Sequence, residues 1–273
     1  MRSTDGVAQK NRRRDIQGLR AIAVIMVVAF HAGLPVPGGF VGVDVFFVIS
    51  GFVITAMLHR EWEKTGRIRF GTFYLKRFKR LAPALALMVG VTLMISTVIF
   101  SPFGHQTYAA ATGIGALLMS ANFVIAKTTG GYFGPAAENN PLLNTWSLSV
   151  EEQFYLVFPA LIALGWYLAK RRGLLRFSPA LIVGGVAIAS FALTMAGVND
   201  ARFPLSDWIL GFYSPFTRVW EFAVGALLAL ALAKTATSES MQTSNRVKTY
   251  SSTLTAIAGM VMLAVSLWFI TES

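Results

Sequence analysis

Apolar residues run along this chain in long unbroken stretches, not in the one-sided stripe of a helix that faces water. Runs cover residues 16–34, 40–58, 81–100, 150–169, 179–198, 208–232 and 253–270. Each is close to the ~20 residues a bilayer crossing needs. An eighth apolar segment covers 108–126, but Thr112, Gly113, Gly115, Ser120 and Asn122 interrupt it. The pattern predicts an all-α, polytopic membrane helix bundle of about eight hydrophobic segments. Pro35, Pro37, Gly38 and Gly39 predict a tight turn between the first two. Residues 59–80, 127–144, 199–207 and 234–252 read as loops. No internal repeat is visible, so the inverted-repeat signature of many transporters is missing.

Composition agrees with this pattern. Of 273 residues, 55% are hydrophobic and 14% charged, with mean hydropathy +0.58. Soluble proteins carry about 25% charged residues. The absence of cysteine excludes disulfides and thiolate metal sites. Three histidines, one of them in a span, predict no metal site. The net charge of +11 does not point to nucleic acid, because its basic residues cluster beside the spans. Residues 1–20, 59–80, 170–177 and 234–248 hold 21 of the 24 Lys and Arg. By the positive-inside rule these segments are cytoplasmic. The N-terminus is then inside, with 1–15 a basic cytoplasmic tail and 16–34 a retained first span. With this orientation, parity rules out a simple full crossing by 108–126: either that segment is re-entrant, which is the expectation, or the basic cluster at 170–176 breaks the positive-inside rule.

Ionisable side chains inside apolar runs carry a desolvation cost and mark functional sites by default. Arg20 and His31 lie eleven residues apart in the first run, about 16 Å along a helix. Histidine suits a general base because its ordinary pKa is near neutral. The plainer reading is a helix-end histidine bonded to backbone beside Gly33. Asp44, across the predicted turn, is placed either to orient the imidazole or to hold the turn through backbone N–H groups. Ser50 and Gly51 read as small residues for helix packing. Lys76, Arg77 and Arg80 precede the 81–100 run, with Arg77 and Arg80 on one helix face. They suit either a phosphate or the membrane surface. In 141–159, Ser149 and Glu152 have capping-box spacing, which accounts for Glu152 but not for Glu151. Ser147, Glu151 and Tyr155 are spaced to line one helix face, while Trp146 and Tyr155 also suit an interfacial belt. Arg218 and Glu221, three apart, read as an internal ion pair or as groups facing the cavity of His31.

Together these stretches resemble the acyltransferase type 3 family, the membrane O-acyltransferases of bacterial surface carbohydrates. The resemblance runs through RDIQGLRAIAVIMVVAFH, GGFVGVDVFFVISGFVIT, YLKRFKRLAP, NTWSLSVEEQFYLVFP and RVWEFAVGALLA, most of residues 14–230. The family pattern of Arg, ten residues, then His falls on Arg20 and His31. Its RxxR element falls on Arg77 and Arg80, and its WSLSxEEQFY element on Trp146 to Tyr155.

The resemblance implies transfer of an acyl group, usually acetyl, from cytoplasmic acyl-coenzyme A to a hydroxyl of an extracytoplasmic carbohydrate or glycolipid. His31 is then base or transient acyl carrier. Arg20, Arg77 and Arg80 are on the donor side, and Glu151 with the Trp146 region serves the acceptor or the base. Asp44, Ser147, Tyr155, Arg218 and Glu221 support the site. The location implied is the bacterial inner membrane. Asn144 departs from the family, where His is frequent before TWSLS. Family members have around ten spans, so residues 16–273 are expected to be an incomplete transmembrane domain. A transporter or flippase, or an inactive truncated homologue, is the competing expectation.

Overall fold

A computed structural model describes residues 14–102, 104–129, 139–172, 178–199 and 207–238. The predicted tail before residue 14, the run at 253–270, Glu138, Asp200 and Arg202 lie outside the described residues. The described elements are α1 (Arg14–His31), a 3-10 turn (Pro37–Val41), α2 (Gly42–Thr65), α3 (Phe70–Ile99), α4 (His105–Leu117) and α5 (Ala121–Thr129). They continue with α6 (Thr145–Arg172), α7 (Ser178–Asn199), α8 (Asp207–Leu210) and α9 (Pro215–Ser238). No strand occurs among the described residues.

Five helices are long and apolar enough to cross a membrane: α2 with its 3-10 turn, α3, α6, α7 and α9. Their outward faces carry large apolar side chains, including Met94, Val98 and Ile188. Such a surface is stable against lipid, whereas in water it would drive association.

The α2–α9 pair is the most extensive helix contact. Two glycines allow it. A Cβ on Gly51 would collide with the Phe222 carbonyl, and one on Gly225 with the Val48 carbonyl. Close backbone approach of this kind is how helices gain packing energy where lipid removes the hydrophobic drive. Gly225→Ala is therefore expected to force the helices apart, at a cost of about 1–3 kcal/mol. The thermal midpoint of the detergent-purified protein should fall; an unchanged midpoint would contradict the close crossing. Phe222 fills the space beyond, edge-on to Tyr155 and Phe158 of α6.

Helices α1 and α2 are antiparallel, and their register is fixed by three contacts. A Cβ on Gly39 would meet Met26 and Phe30, and one on Gly42 would meet Ala23 and Val27. The Arg20 guanidinium lies 4.8 Å over the Phe46 ring. His31 is thus level with the turn, while Asp44 is level with residues 22–23, ~12 Å further along the helix axis.

Several predicted boundaries are corrected. The basic stretch 59–80 is mostly helix: α2 runs on to Thr65, ended by Gly66 at φ 65°, and α3 begins at Phe70. Long basic side chains let a helix emerge from an apolar layer without stopping. The segment 108–126 is two helices with a break at residues 118–120, where Met119 adopts φ 55°. At 13 and 9 residues, neither spans the ~30 Å of a bilayer core, in keeping with the expected departure from a simple crossing. The run 208–232 is divided by a turn at 211–214, with Pro215 opening α9.

Candidate active site

Three polar groups lie at successive heights along α2. The first is His31, at the exposed last turn of α1. Its Nδ1 lies 2.8 Å from the Val27 carbonyl. A carbonyl only accepts, so Nδ1 is the donor in this bond. This bond is the helix-end contact expected from sequence.

The second group joins α2 and α9. Arg218 Nη1 donates to Asp44 Oδ1 at 2.8 Å and to Glu221 Oε1 at 3.0 Å. Its Nε donates to the Phe212 carbonyl at 3.3 Å, and the guanidinium lies 4.2 Å over the Phe212 ring. The ion pair expected between Arg218 and Glu221 is present, with Asp44 as a third member. Both expectations for Asp44 are corrected. The α1–α2 register separates it from His31, and no side chain caps the start of α2. Asp44 turns instead to the only cation within its reach among its described contacts.

The third group joins α2, α3 and α6. Glu151 Oε1 accepts from Ser50 Oγ at 2.5 Å and from Tyr155 Oη at 2.8 Å. Arg77 forks onto Glu152, with Nε 2.7 Å from Oε2 and Nη2 bonded to Oε1. Arg77 Nη2 is also 4.0 Å from Glu151 Oε1, and its guanidinium stacks 3.3 Å over the Tyr155 ring. Arg80, three residues on, is exposed. The two arginines therefore do not form one fork in this structure.

Further sequence expectations change here. Glu152 is no capping residue: α6 starts at Thr145, and Ser149 Oγ accepts from the Ala121 N–H at 3.2 Å. Ser147 does not join Glu151 and Tyr155; its hydroxyl donates back to the Asn144 carbonyl at 3.1 Å. Trp146 and Tyr155 are not interfacial aromatics. Trp146 is 1% exposed and packs edge-on to Phe47 and Phe212, and Tyr155 is 6% exposed. Tyr213 lies beside Trp146, and burial pushes its phenol up to about 12, so it stays neutral. Ser50 reads as a packing residue from its size, yet its hydroxyl is a partner of Glu151; no local pattern in the sequence signals that contact, which joins residues 101 apart.

A cleft of about 760 Å³ reaches the third group from outside. Arg77, Glu152, Gln153 and Tyr155 are among its polar lining, and Phe78 and Phe216 among its apolar lining. His31 does not line it. The structure thus brings Glu151, Tyr155 and Arg77 together, and separately Asp44, Arg218 and Glu221. Arg20 and His31 stand apart on α1.

Residues 13–272 match the family described as Acyltransferase domain. The chain is 35% identical over 217 residues to the peptidoglycan O-acetyltransferase OatA of Listeria monocytogenes, which covers 78% of this chain and 33% of that protein. It is 37% identical over 239 residues to a Staphylococcus aureus protein provisionally named an O-acetyltransferase, covering 84% of this chain and 37% of the relative. The chain thus spans about a third of the length of these relatives. No solved structure matches it. With an all-helical, membrane-type bundle and a family match along nearly its whole length, the chain belongs to the acyltransferase type 3 family.

Proposed function

We propose that this protein is a membrane O-acetyltransferase that moves an acetyl group from cytoplasmic acetyl-coenzyme A to a hydroxyl of a cell-envelope carbohydrate. Family membership over residues 13–272 is the observation that carries this reading. The relatives' names support acetyl as the group transferred and peptidoglycan as the acceptor to test first. In this reading the N-terminus is cytoplasmic, in the bacterial inner membrane, and residues 16–273 are part of the transferase domain.

His31 Nε2 takes the proton of the attacking hydroxyl, and the Nδ1 bond to Val27 holds the ring in that tautomer. Arg20 and Arg80 meet the donor's phosphates from the cytoplasmic side, and Arg77 joins them by exchanging Glu152 for phosphate. Glu151 fixes Tyr155 and Ser50 beside the cleft.

The test compares O-acetyl content of purified envelope fractions from cells with and without the gene, after feeding labelled acetate. Label should appear in peptidoglycan only when the gene is present; equal label in both rejects the reading. A second measurement addresses the donor side. Arg80→Ala is expected to raise the KM for acetyl-coenzyme A several-fold with the thermal midpoint unchanged, because Arg80 is exposed. An unchanged KM removes Arg80 from the donor site.

A further inference from the structure

The Asp44–Arg218–Glu221 group has an unbalanced charge. Both carboxyl groups sit on one guanidinium nitrogen, at 2.8 and 3.0 Å. They are also within side-chain hydrogen-bond reach of each other. The Glu221 side chain is 3% exposed, and its Oε2 is buried without a donor facing it. As an anion, Glu221 would leave that oxygen unsatisfied, and two carboxylates on one arginine would leave a net negative charge inside an apolar bundle. One proton removes both costs, since a Glu221 hydroxyl donates and Asp44 accepts.

Among the described residues the surroundings do not supply another cation. Helix α7, packed on α9, carries no charged residue. From α1, Arg20 is engaged with Phe46 and His31 lies at the level of the turn. From α6, Glu151 and Glu152 are held by Arg77 and lie at the level of Ser50, ~9 Å further along α2. The pair also has an opening: the Asp44 side chain is 33% exposed, whereas Glu221 is enclosed.

We propose that Asp44 and Glu221 form a carboxyl pair that shares one proton on Arg218 and passes protons inward from the His31 end of the bundle. The passage role rests on the acetyltransferase reading above; the shared proton does not. In transfer from an acyl thioester, the acceptor's O–H bond breaks and its oxygen bonds the acyl carbon. The carbon–sulfur bond breaks, and the sulfur keeps the electron pair and needs a proton. When hydroxyl and thioester meet the protein from opposite sides, acetyl moves outward and one proton must move inward. Midway between the His31 level and the Arg77 level, the pair gives its proton toward the thiolate and is refilled from His31.

Infrared spectroscopy of the purified full chain in nanodiscs at neutral pH tests the shared proton. The wild type should show a protonated carboxylic-acid stretch that shifts in D2O. Glu221→Gln and Asp44→Asn should each lose it, because either substitution leaves one carboxylate balanced on Arg218. The same balance keeps both variants folded. A wild type without the band, or retention of the band in either variant, overturns the shared proton. Acetylation at the wild-type rate by both variants overturns the passage role, and a tenfold or larger drop supports it. A wild type with the band but no transfer leaves the pair standing and rejects the acetyltransferase reading instead.

Discussion

Substituting His31 with alanine is expected to reduce acetyl transfer by roughly 10²–10⁴-fold, the usual contribution of a positioned general base. The fold should be almost unaffected. The side chain is exposed at the last turn of α1 and bonds to the Val27 carbonyl of its own helix. A cationic histidine at a helix C-terminus adds about 0.3–1 kcal/mol at most exposed sites. The expected result is therefore a normal thermal midpoint with envelope O-acetyl content near background. Matched protein levels are needed to compare the two. Acetylation equal to the wild type would remove His31 from the chemistry. His31→Gln sharpens the test, since a carboxamide restores a donor toward Val27 but is no base. Recovery of activity in His31→Gln would make the histidine a structural helix-end residue.

The parts of this architecture readable from sequence are those set by local apolarity. Residues 178–199 form a helix within a residue of the predicted run, since no polar group competes along it. The start of α3 was less legible, because Lys76, Arg77, Lys79 and Arg80 look like loop composition while their apolar stems tolerate a helix. The turn before α9 had a signal in Gly211, Ser214 and Pro215, but the surrounding apolar residues masked it. Ion pairing shows the same division. Arg218–Glu221 is three residues apart and follows from helix geometry. Asp44–Arg218 joins residues 174 apart, and Arg77–Glu152 residues 75 apart. Those contacts depend on which helices are neighbours, and a single sequence holds no direct record of that. The Glu152 reading differs for a related reason: Ser149 is an acceptable N-cap in isolation, but α6 starts at Thr145, five residues before the start that cap would imply.

Replacing Arg77 with alanine is expected to destabilise the protein by about 3–5 kcal/mol, the usual consequence of stranding a buried charge. The side chains of Glu151 and Glu152 are 7% and 12% exposed, and Arg77 is the cation that faces both. Its removal leaves adjacent carboxylates without a countercharge and uncovers the Tyr155 ring. Arg77→Lys keeps the charge but loses the planar fork and the stacking, so an intermediate loss is expected. The cost should lie in the stranded carboxylates rather than in the missing side chain. Adding Glu152→Gln to Arg77→Ala is therefore expected to recover part of the loss, whereas Glu152→Gln alone should be milder than Arg77→Ala. Thermal midpoints of the four proteins in one detergent form the cycle that measures this coupling. Purely additive losses would mean that the fork contributes no net stability. In that case Arg77 would exchange Glu152 for a donor phosphate at little cost. A strong coupling has the opposite consequence: Arg77 then acts mainly as the tie between α3 and α6, and the proposed donor contact would rest on Arg20 and Arg80 alone.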